Sequence, residues 1–564
     1  MSGQRSSSKF LPTSAETQQI YSLLRSHAPP PSHIASDPIA RSLSDELERR
    51  AQDIAQLRDS EELAKAEEDH AILAKHCSNV RSLLSPIRRL PSELLVDVFV
   101  AYAALHDSEE EQFMEDRAEW MEHRAQRALE ALAQKPLLVL SRVCSRWYGL
   151  VMNTPTLWST IELDVPERWT QMKSVSNAML LLNRALERSA DAPLTIEVFT
   201  LEGGVRPRIL KLLGQHSHRW RNFSLYCSVN DLRHLRNIKG NLPLLETLTI
   251  DLAGDGFDFD RDAKAASRSV ELFTEVPRLR SLTMGMLHDT TLAQVHLDKV
   301  KTLRFVSPDA QYAPTAVAFM AMVPARVKFQ LLLFISNWAD HNITPGINAP
   351  ATSSYIEAFA IGMHDYFEAG HCVKALTDIL DALTLPQLLH LEFRSEDAPN
   401  SLLSWTHTPF LNLATRSSFQ THLQSLCMSD VVITEPQLLQ VLSVLPLLQT
   451  LAISDHVTTE EGQHGADQLL LTDSLLAALT LDAGAQSRPL VPLLCDFEFR
   501  STLQFKDDVF DVFLSSRCQD SSTSCVARLY WIQDHGRALD PSVVTRIRDL
   551  CIRKRLSWEF CATE

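Results

Sequence analysis

One nine-residue phrase returns five times beyond residue 200: LPLLETLTI from Leu242, VPRLRSLTM from Val276, LPQLLHLEF from Leu385, LPLLQTLAI from Leu445 and VPLLCDFEF from Val491. Its template is Leu or Val, Pro, any residue, Leu, two residues, Leu or Phe, one residue, and a last apolar residue. Proline has no N–H to give a ladder, so it belongs before a strand and not inside one. The apolar-x-apolar pair that follows has the period of two of a short strand with one buried face. A single such unit cannot cover its own apolar side, so recurrence dictates that neighbours stack into one continuous core. Looser copies without the proline stand at Trp220/Phe223/Leu225, Val300/Leu303/Phe305, Phe329/Leu332/Phe334, Leu423/Leu426/Met428 and Val526/Leu529/Trp531, so that about ten strands are expected.

Helical text separates several copies. In CVKALTDILDALT, residues Val373, Leu376, Ile379, Leu380 and Leu383 fall on one helical face. At the far end Asp540-Pro541-Ser542 opens a helix carrying Val543, Ile547 and Leu550, and LSWEF follows, which reads as a terminal cap.

These features make residues 200–564 resemble a leucine-rich repeat. The resemblance implies an α/β repeat, an irregular solenoid of strands and helices whose strands line one open face. The chain departs from the family in spacing, which is irregular at roughly 20 to 60 residues. It also departs at the ladder position three residues after the last apolar one, where Ala253, Leu287, Glu396 and His456 replace Asn or Cys. Long excursions are expected at DHNITPGINAPATSS and DHVTTEEGQHGADQ. An ordinary α/β core with look-alike strands is the alternative. If the strands line an open face, the residues between the buried pairs point toward a target. Those are Thr247 and Thr249, Ser281 and Thr283, Thr302 and Arg304, His390 and Glu392, Thr450 and Ala452, Asp496 and Glu498, and Arg528 and Tyr530. Their signs are mixed and name no ligand.

The N-terminal part reads differently. Residues 1–40 are rich in Ser and Pro, including Pro29-Pro30-Pro31, and are expected to form a disordered arm. Residues 41–84 form a polar helix in which Leu47, Ile54 and Leu57 keep a seven-residue rhythm that Glu61 and Glu68 break. A weak coiled coil and a polar helix lying along the next domain both stay open. Residues 106–134 are acidic first and basic later, the order that opposes the helix macrodipole, so a solvated inserted helix is expected there.

Between these lies SPIRRLPSELLVDVFVAYAALH, where Leu94, Leu95, Val98, Phe99 and Tyr102 share a broad helical face behind Pro91. After the insert, PLLVLSRVCSRWYGLVMNTPTLWSTIEL places Leu140, Val143, Cys144 and Trp147 on one face, and Asn153-Thr154-Pro155 stops the helix. L-P-x-E-L-L with V-C-x-x-W and T-P-x-L-W resembles the F-box in its fungal, basidiomycete-like form, over residues 85–162. The resemblance implies a small all-α domain gripped by the Skp adaptor of a cullin-RING ubiquitin ligase. Carried to matching positions, the adaptor-binding residues are Leu90, Pro91, Leu94, Leu95, Val98, Phe99, Val143 and Trp147. Part of that set, with Leu157 and Trp158, can instead form the domain's own core. The whole stretch can also be read as a cap sealing the repeats.

Composition narrows the function. A formal charge of −16 works against nucleic acid and anionic membranes as partners. Ten cysteines occur without any C-x-x-C, which suggests neither a zinc site nor a disulfide framework. The longest apolar run, FQLLLFI, is far short of the roughly 20 residues that span a bilayer, and the opening lacks a signal-like apolar stretch, so a cytoplasmic or nuclear protein is expected. No phosphate loop, nucleophile elbow, zincin motif or dinucleotide fingerprint occurs. His364 and His371 in MHDYFEAGH could share a helix face but lack further ligands, so a surface helix is the expected reading. No catalytic residue, metal or cofactor is therefore expected. The reading is a substrate-recognition subunit with two partners, the Skp adaptor and an unknown target protein. A non-ligase scaffold is the alternative, and a hydrolase has no motif behind it.

Overall fold

In the computed structural model all five prolines do the same thing: Pro243, Pro277, Pro386, Pro446 and Pro492 each stand four residues before the first residue of a strand. The backbone N–H of Leu245, Leu279, Leu388, Leu448 and Leu494 donates to the carbonyl three residues back, at 3.1–3.5 Å. That is a β-turn with proline at its second position, where the ring pre-sets φ and no N–H is missed. The structure describes residues 10–25, 31–56, 60–111, 136–165, 172–200, 206–227, 229–252, 271–285, 297–307, 313–335, 352–365, 369–395, 402–455, 469–481, 490–518, 525–532, 539–554 and 556–563. The chain divides into two units, residues 1–166 with 171–194, and residues 167–170 with 195–564.

The first unit begins with three helices, α1 (Ser14–Arg25), α2 (Asp37–Ile54) and α3 (Ser60–Leu84). Ile20, Ala35, Leu43, Leu73, Cys77, Val80 and Leu83 form their core, with Leu47 packed against it. The expected disordered arm is thus corrected over much of its length: Ile20 is 2% exposed within α1. The expected polar helix is two helices, and Leu47 of its leucine rhythm packs against the unit's own core. Leu57 lies outside the described residues. Next come α4 (Ser92–Glu111), the short α5 (Pro136–Ser141), α6 (Ser145–Asn153), the strand β1 (Thr160–Val165) and α7 (Met172–Arg188). The charged insert falls on α4's end at 106–111, and its remainder lies outside the described residues.

The second unit carries a long sheet: β2 (Leu194–Thr200), β3 (Trp220–Cys227), β4 (Thr247–Leu252), β5 (Ser281–Gly285), β6 (Thr302–Ser307), β7 (Lys328–Ile335), β8 (Ala358–Asp365), β9 (His390–Ser395), β10 (Ser425–Ser429), β11 (Thr450–Ser454), β12 (Asp496–Ser501), β13 (Cys525–Ile532) and β14 (Leu556–Thr563). Neighbours follow chain order, and from β3 onward every pair is parallel. Register holds one buried row from Phe223 through Leu248, Leu282, Leu303, Phe329, Phe359, Leu391, Leu426, Leu451 and Phe497 to Ala527. A second runs from Leu225 through Ile250, Met284, Phe305, Leu331, Ile361, Phe393, Met428, Ile453 and Phe499 to Leu529. All of these residues are buried, at about 1.5–3 kcal/mol for each large side chain, which makes the stacked rows the main source of the unit's stability.

Helices such as Ala369–Ala382, His407–Ser417 and Asp507–Arg517 intervene between strands. Two arginines tie them together. Arg416 donates to the carbonyls of Leu380, Asp381 and Leu383 at 2.6, 3.1 and 3.1 Å, closing the end of the preceding helix. Three repeats further on, Arg517 donates to the carbonyl of Leu479, at the end of the preceding helix, and to those of Val491 at 2.7 Å and Leu490 at 3.2 Å.

Three expectations need correcting. In β7 the inward pair is Phe329 and Leu331, not Leu332 and Phe334, because a run of apolar residues carries no alternation to read. Three strands, β2, β8 and β14, are not among the copies: neither LTIEVFT nor AFAIGMHD follows a template turn, and the expected cap LSWEF is itself a strand of the sheet. Finally, His364 lies in β8 while His371 lies in the helix Ala369–Ala382, so the two do not share a helix. The excursion at 456–468 and most of the one at 340–354 lie outside the described residues.

Candidate functional site

The lead S-P-I-R-R-L-P is fixed by arginines. Arg88 donates to the carbonyls of Leu23 and Leu24 at 2.8 and 3.2 Å, in the last turn of α1, where orphan carbonyls favour a cation. Arg146, on α6, donates to the carbonyl of Arg88 at 2.8 Å and to that of Leu90. The carbonyl of Pro91 accepts the first helical bond, from the Leu95 N–H at 3.1 Å, so α4 starts directly behind the proline.

Adjacent residues of α4 then part company. Leu95 and Phe99 are fully buried with Leu137, Leu140, Val151, Leu157 and Trp158. The indole of Trp158 donates to the Val151 carbonyl at 2.6 Å, and the guanidinium of Arg188 on α7 lies 4.5 Å above its ring. Trp147 is half-buried, its ring edge-on to Phe99 at 4.9 Å. Leu94, Val98 and Val143, by contrast, are 51%, 45% and 57% exposed. Pro91 is exposed and Leu90 half-buried.

Of the eight expected adaptor residues, Leu95 and Phe99 are therefore corrected to core, and Trp147 supports that core. Leu94, Val98 and Val143, with Pro91 beside them, present apolar surface to solvent, and Tyr102 one turn beyond Val98 is 42% exposed. Val139 and Tyr148, exposed at 47% and 54%, extend the apolar surface of the later helices and were not singled out by sequence.

On the sheet, the expected outward residues come together in two rows. Thr247, Ser281, Thr302, His390, Thr450 and Asp496 share the first, completed by Lys328, Ala358, Ser425 and Val526. Thr249, Thr283, Arg304, Glu392, Ala452, Glu498 and Arg528 share the second, completed by Gln330, Ala360 and Cys427. Tyr530 belongs one row further on, opposite Arg500, whose guanidinium sits 5.8 Å from its ring.

Charges on this face are mostly spent on one another. Arg528 pairs with Asp496 at 3.1 Å and approaches Glu498 at 3.9 Å, and Arg394 meets Glu392 at 3.4 Å. The Cys427 thiol is pushed up to about 11 by burial, so it is not a nucleophilic thiolate. Burial pushes the His390 imidazole below its ordinary value, against the nearby Glu357 carboxylate. Among the described residues no three His, Cys, Asp or Glu side chains are grouped to hold a metal, and no helix is long and apolar enough to cross a membrane.

Against known families, residues 87–164 match the F-box-like family. An F-box-like domain therefore occupies that segment, and its bounds enclose α4, α5, α6 and the Leu157–Trp158 turn. No curated protein matches the chain.

Proposed function

We propose that the chain is a substrate receptor of a Skp-cullin-F-box ubiquitin ligase, of the fungal F-box type with leucine-rich-like repeats. F-box domains typically bind a Skp adaptor within cullin-RING ligases. The observation that carries the reading is the split of α4, where Leu94 and Val98 are left half-exposed while Leu95 and Phe99 are the helix's buried contribution to the small core. A unit with so few core residues that leaves an apolar stripe open is suited to a partner that closes it. The strand–helix repeat supplies a long ordered surface for a target, and ubiquitin transfer is the work of other subunits. The mechanism is proximity: tethering raises the local concentration of the target beside the ligase.

Affinity purification of the tagged chain tests this. The receptor reading expects the Skp adaptor and a cullin among the retained proteins, and their loss with Pro91→Ala plus Leu94→Asp. If neither is recovered while folded chain is present, the scaffold reading replaces it.

A further inference from the structure

The turns that lead into β5, β6 and β7 repeat a charge motif that the repeat template does not require: Arg278-Leu279-Arg280, Lys299-Val300-Lys301 and Arg326-Val327-Lys328. In each the middle residue is buried, at 1%, 5% and 2% exposure, and both basic residues are exposed. Backbone pairing continues from the sheet into these turns. The N–H of Lys301 donates to the Arg280 carbonyl, and that of Lys328 to the Lys301 carbonyl, both at 2.8 Å. Adjacent strands lie about 4.8 Å apart, so the three turns set six cations over a span of about 10 Å.

Like charges on neighbouring strands are unfavourable unless something neutralises them. Among the described residues none of the six forms an ion pair; Lys299 donates only to the Pro277 carbonyl, at 3.1 Å. All six line one groove with three carboxylates, Glu246, Asp298 and Glu357. Glu246 is engaged at 3.1 Å by Arg221. The third copy is shifted one residue against the pairing, and it holds Arg326 in the left-handed region at φ 69°, a conformation that costs a non-glycine residue roughly 1 kcal/mol. A local cationic groove on a chain of net charge −16 is thus an arrangement maintained against both self-repulsion and backbone preference.

We propose that this groove docks an acidic, extended segment of a protein. An extended chain advances about 3.3 Å per residue, so three to four residues cover the roughly 10 Å spanned by the turns, with carboxylates two residues apart facing the groove. A short segment also lies within a Debye length of about 8 Å, where the six cations dominate, whereas a long polyanion such as nucleic acid feels the net negative charge of the whole protein. The inference deepens the receptor reading by giving the chemistry of what the second unit holds.

The test is fluorescence anisotropy of a short labelled glutamate-rich peptide against the full chain, at several salt concentrations. Wild type is expected to bind, with affinity falling as salt rises. Arg280→Gln, Lys301→Gln and Lys328→Gln together are expected to weaken binding about tenfold, the sum of three exposed charge contacts. Asp298→Asn with Glu357→Gln is expected to tighten it, an effect that loss of fold cannot imitate. No binding by wild type, a triple variant that binds like wild type, or an oligonucleotide that binds as tightly as the peptide overturns the proposal. Adaptor recovery from the same preparations separates the two readings: adaptor retained without peptide binding sinks this inference and leaves the receptor.

Discussion

Leu94 and Leu95 are neighbours of the same type on one helix, and the account requires opposite responses from them. Leu95 is fully buried among seven core residues, so Leu95→Ala removes buried carbon and leaves a cavity that a small unit has few side chains to refill. Such changes cost about 2–5 kcal/mol, and a middle value of about 3 raises the open population roughly a hundredfold. Leu94 is 51% exposed, so Leu94→Ala forfeits only part of a burial worth about 1.5–3 kcal/mol, at most roughly 1. Hydrogen exchange of the full chain, read on peptides covering Ser92–Glu111 and Ser145–Asn153, measures both. Protection should collapse for Leu95→Ala and change by less than about tenfold for Leu94→Ala. Equal losses would mean that Leu94 is covered by the chain itself, and the reasoning about an open stripe would fail.

Three further outcomes follow from the same structure. Asp455, 4% exposed, accepts from the N–H groups of Leu470, Leu471 and Thr502 and from the Ser501 hydroxyl, at 2.7–3.2 Å, pinning both sides of residues 456–468. Asp455→Ala should cost roughly 3 kcal/mol or more by thermal denaturation, because buried donors are left unpaired. Arg517, whose ionisation burial lowers to about 10, should tolerate no neutral replacement: Arg517→Met should destabilise more than Arg416→Met, since Arg416 is less buried and its bonds more solvated. For Glu46, burial alone would raise the carboxyl's pKa, but the bonds from Arg50 at 2.9 Å and Arg49 at 2.7 Å outweigh it and hold it below its ordinary 4.5. A lowered folded value means that stability is present above about pH 4.5 and lost as pH falls through the folded value, so helical signal should decline in acid less steeply for Glu46→Gln than for wild type.

What could be read from the sequence was what is written locally. Proline and the period of two placed five turns and strands because both act within nine residues, and the alternating positions then fell into two registered rows without further information. β8 escaped because Ala358, Ala360 and Gly362 fill its outward positions with residues that do not look like a strand. The helix α1 escaped because its few apolar residues, Ile20, Leu23 and Leu24, become meaningful only against α2 and α3.

The candidate site was half legible for a related reason. Five apolar residues on one face of α4 predict that the helix is buried on that side, but which of Leu94 and Leu95 turns inward is decided by where α5 and α6 pack, some forty residues later. The arginines were least legible. Arg88, Arg146, Arg416 and Arg517 act on backbone carbonyls, and a carbonyl leaves no trace in residue type. The basic triplets at 278–280, 299–301 and 326–328 were written plainly, yet they stand before the strands and not on them, outside the positions that the repeat logic singles out.

The central claim is that the exposed stripe of α4 is a docking surface for the Skp adaptor. Titration of the full chain with purified adaptor tests it directly, comparing wild type with Leu94→Asp plus Val98→Asp and monitoring hydrogen exchange of residues 87–164 in both. The account predicts saturable binding by wild type and protection of Ser92–Glu111 on binding. It predicts that binding by the variant is lost while its exchange in the free state is unchanged. Failure of wild type to bind, or undiminished binding by a folded variant, would contradict it.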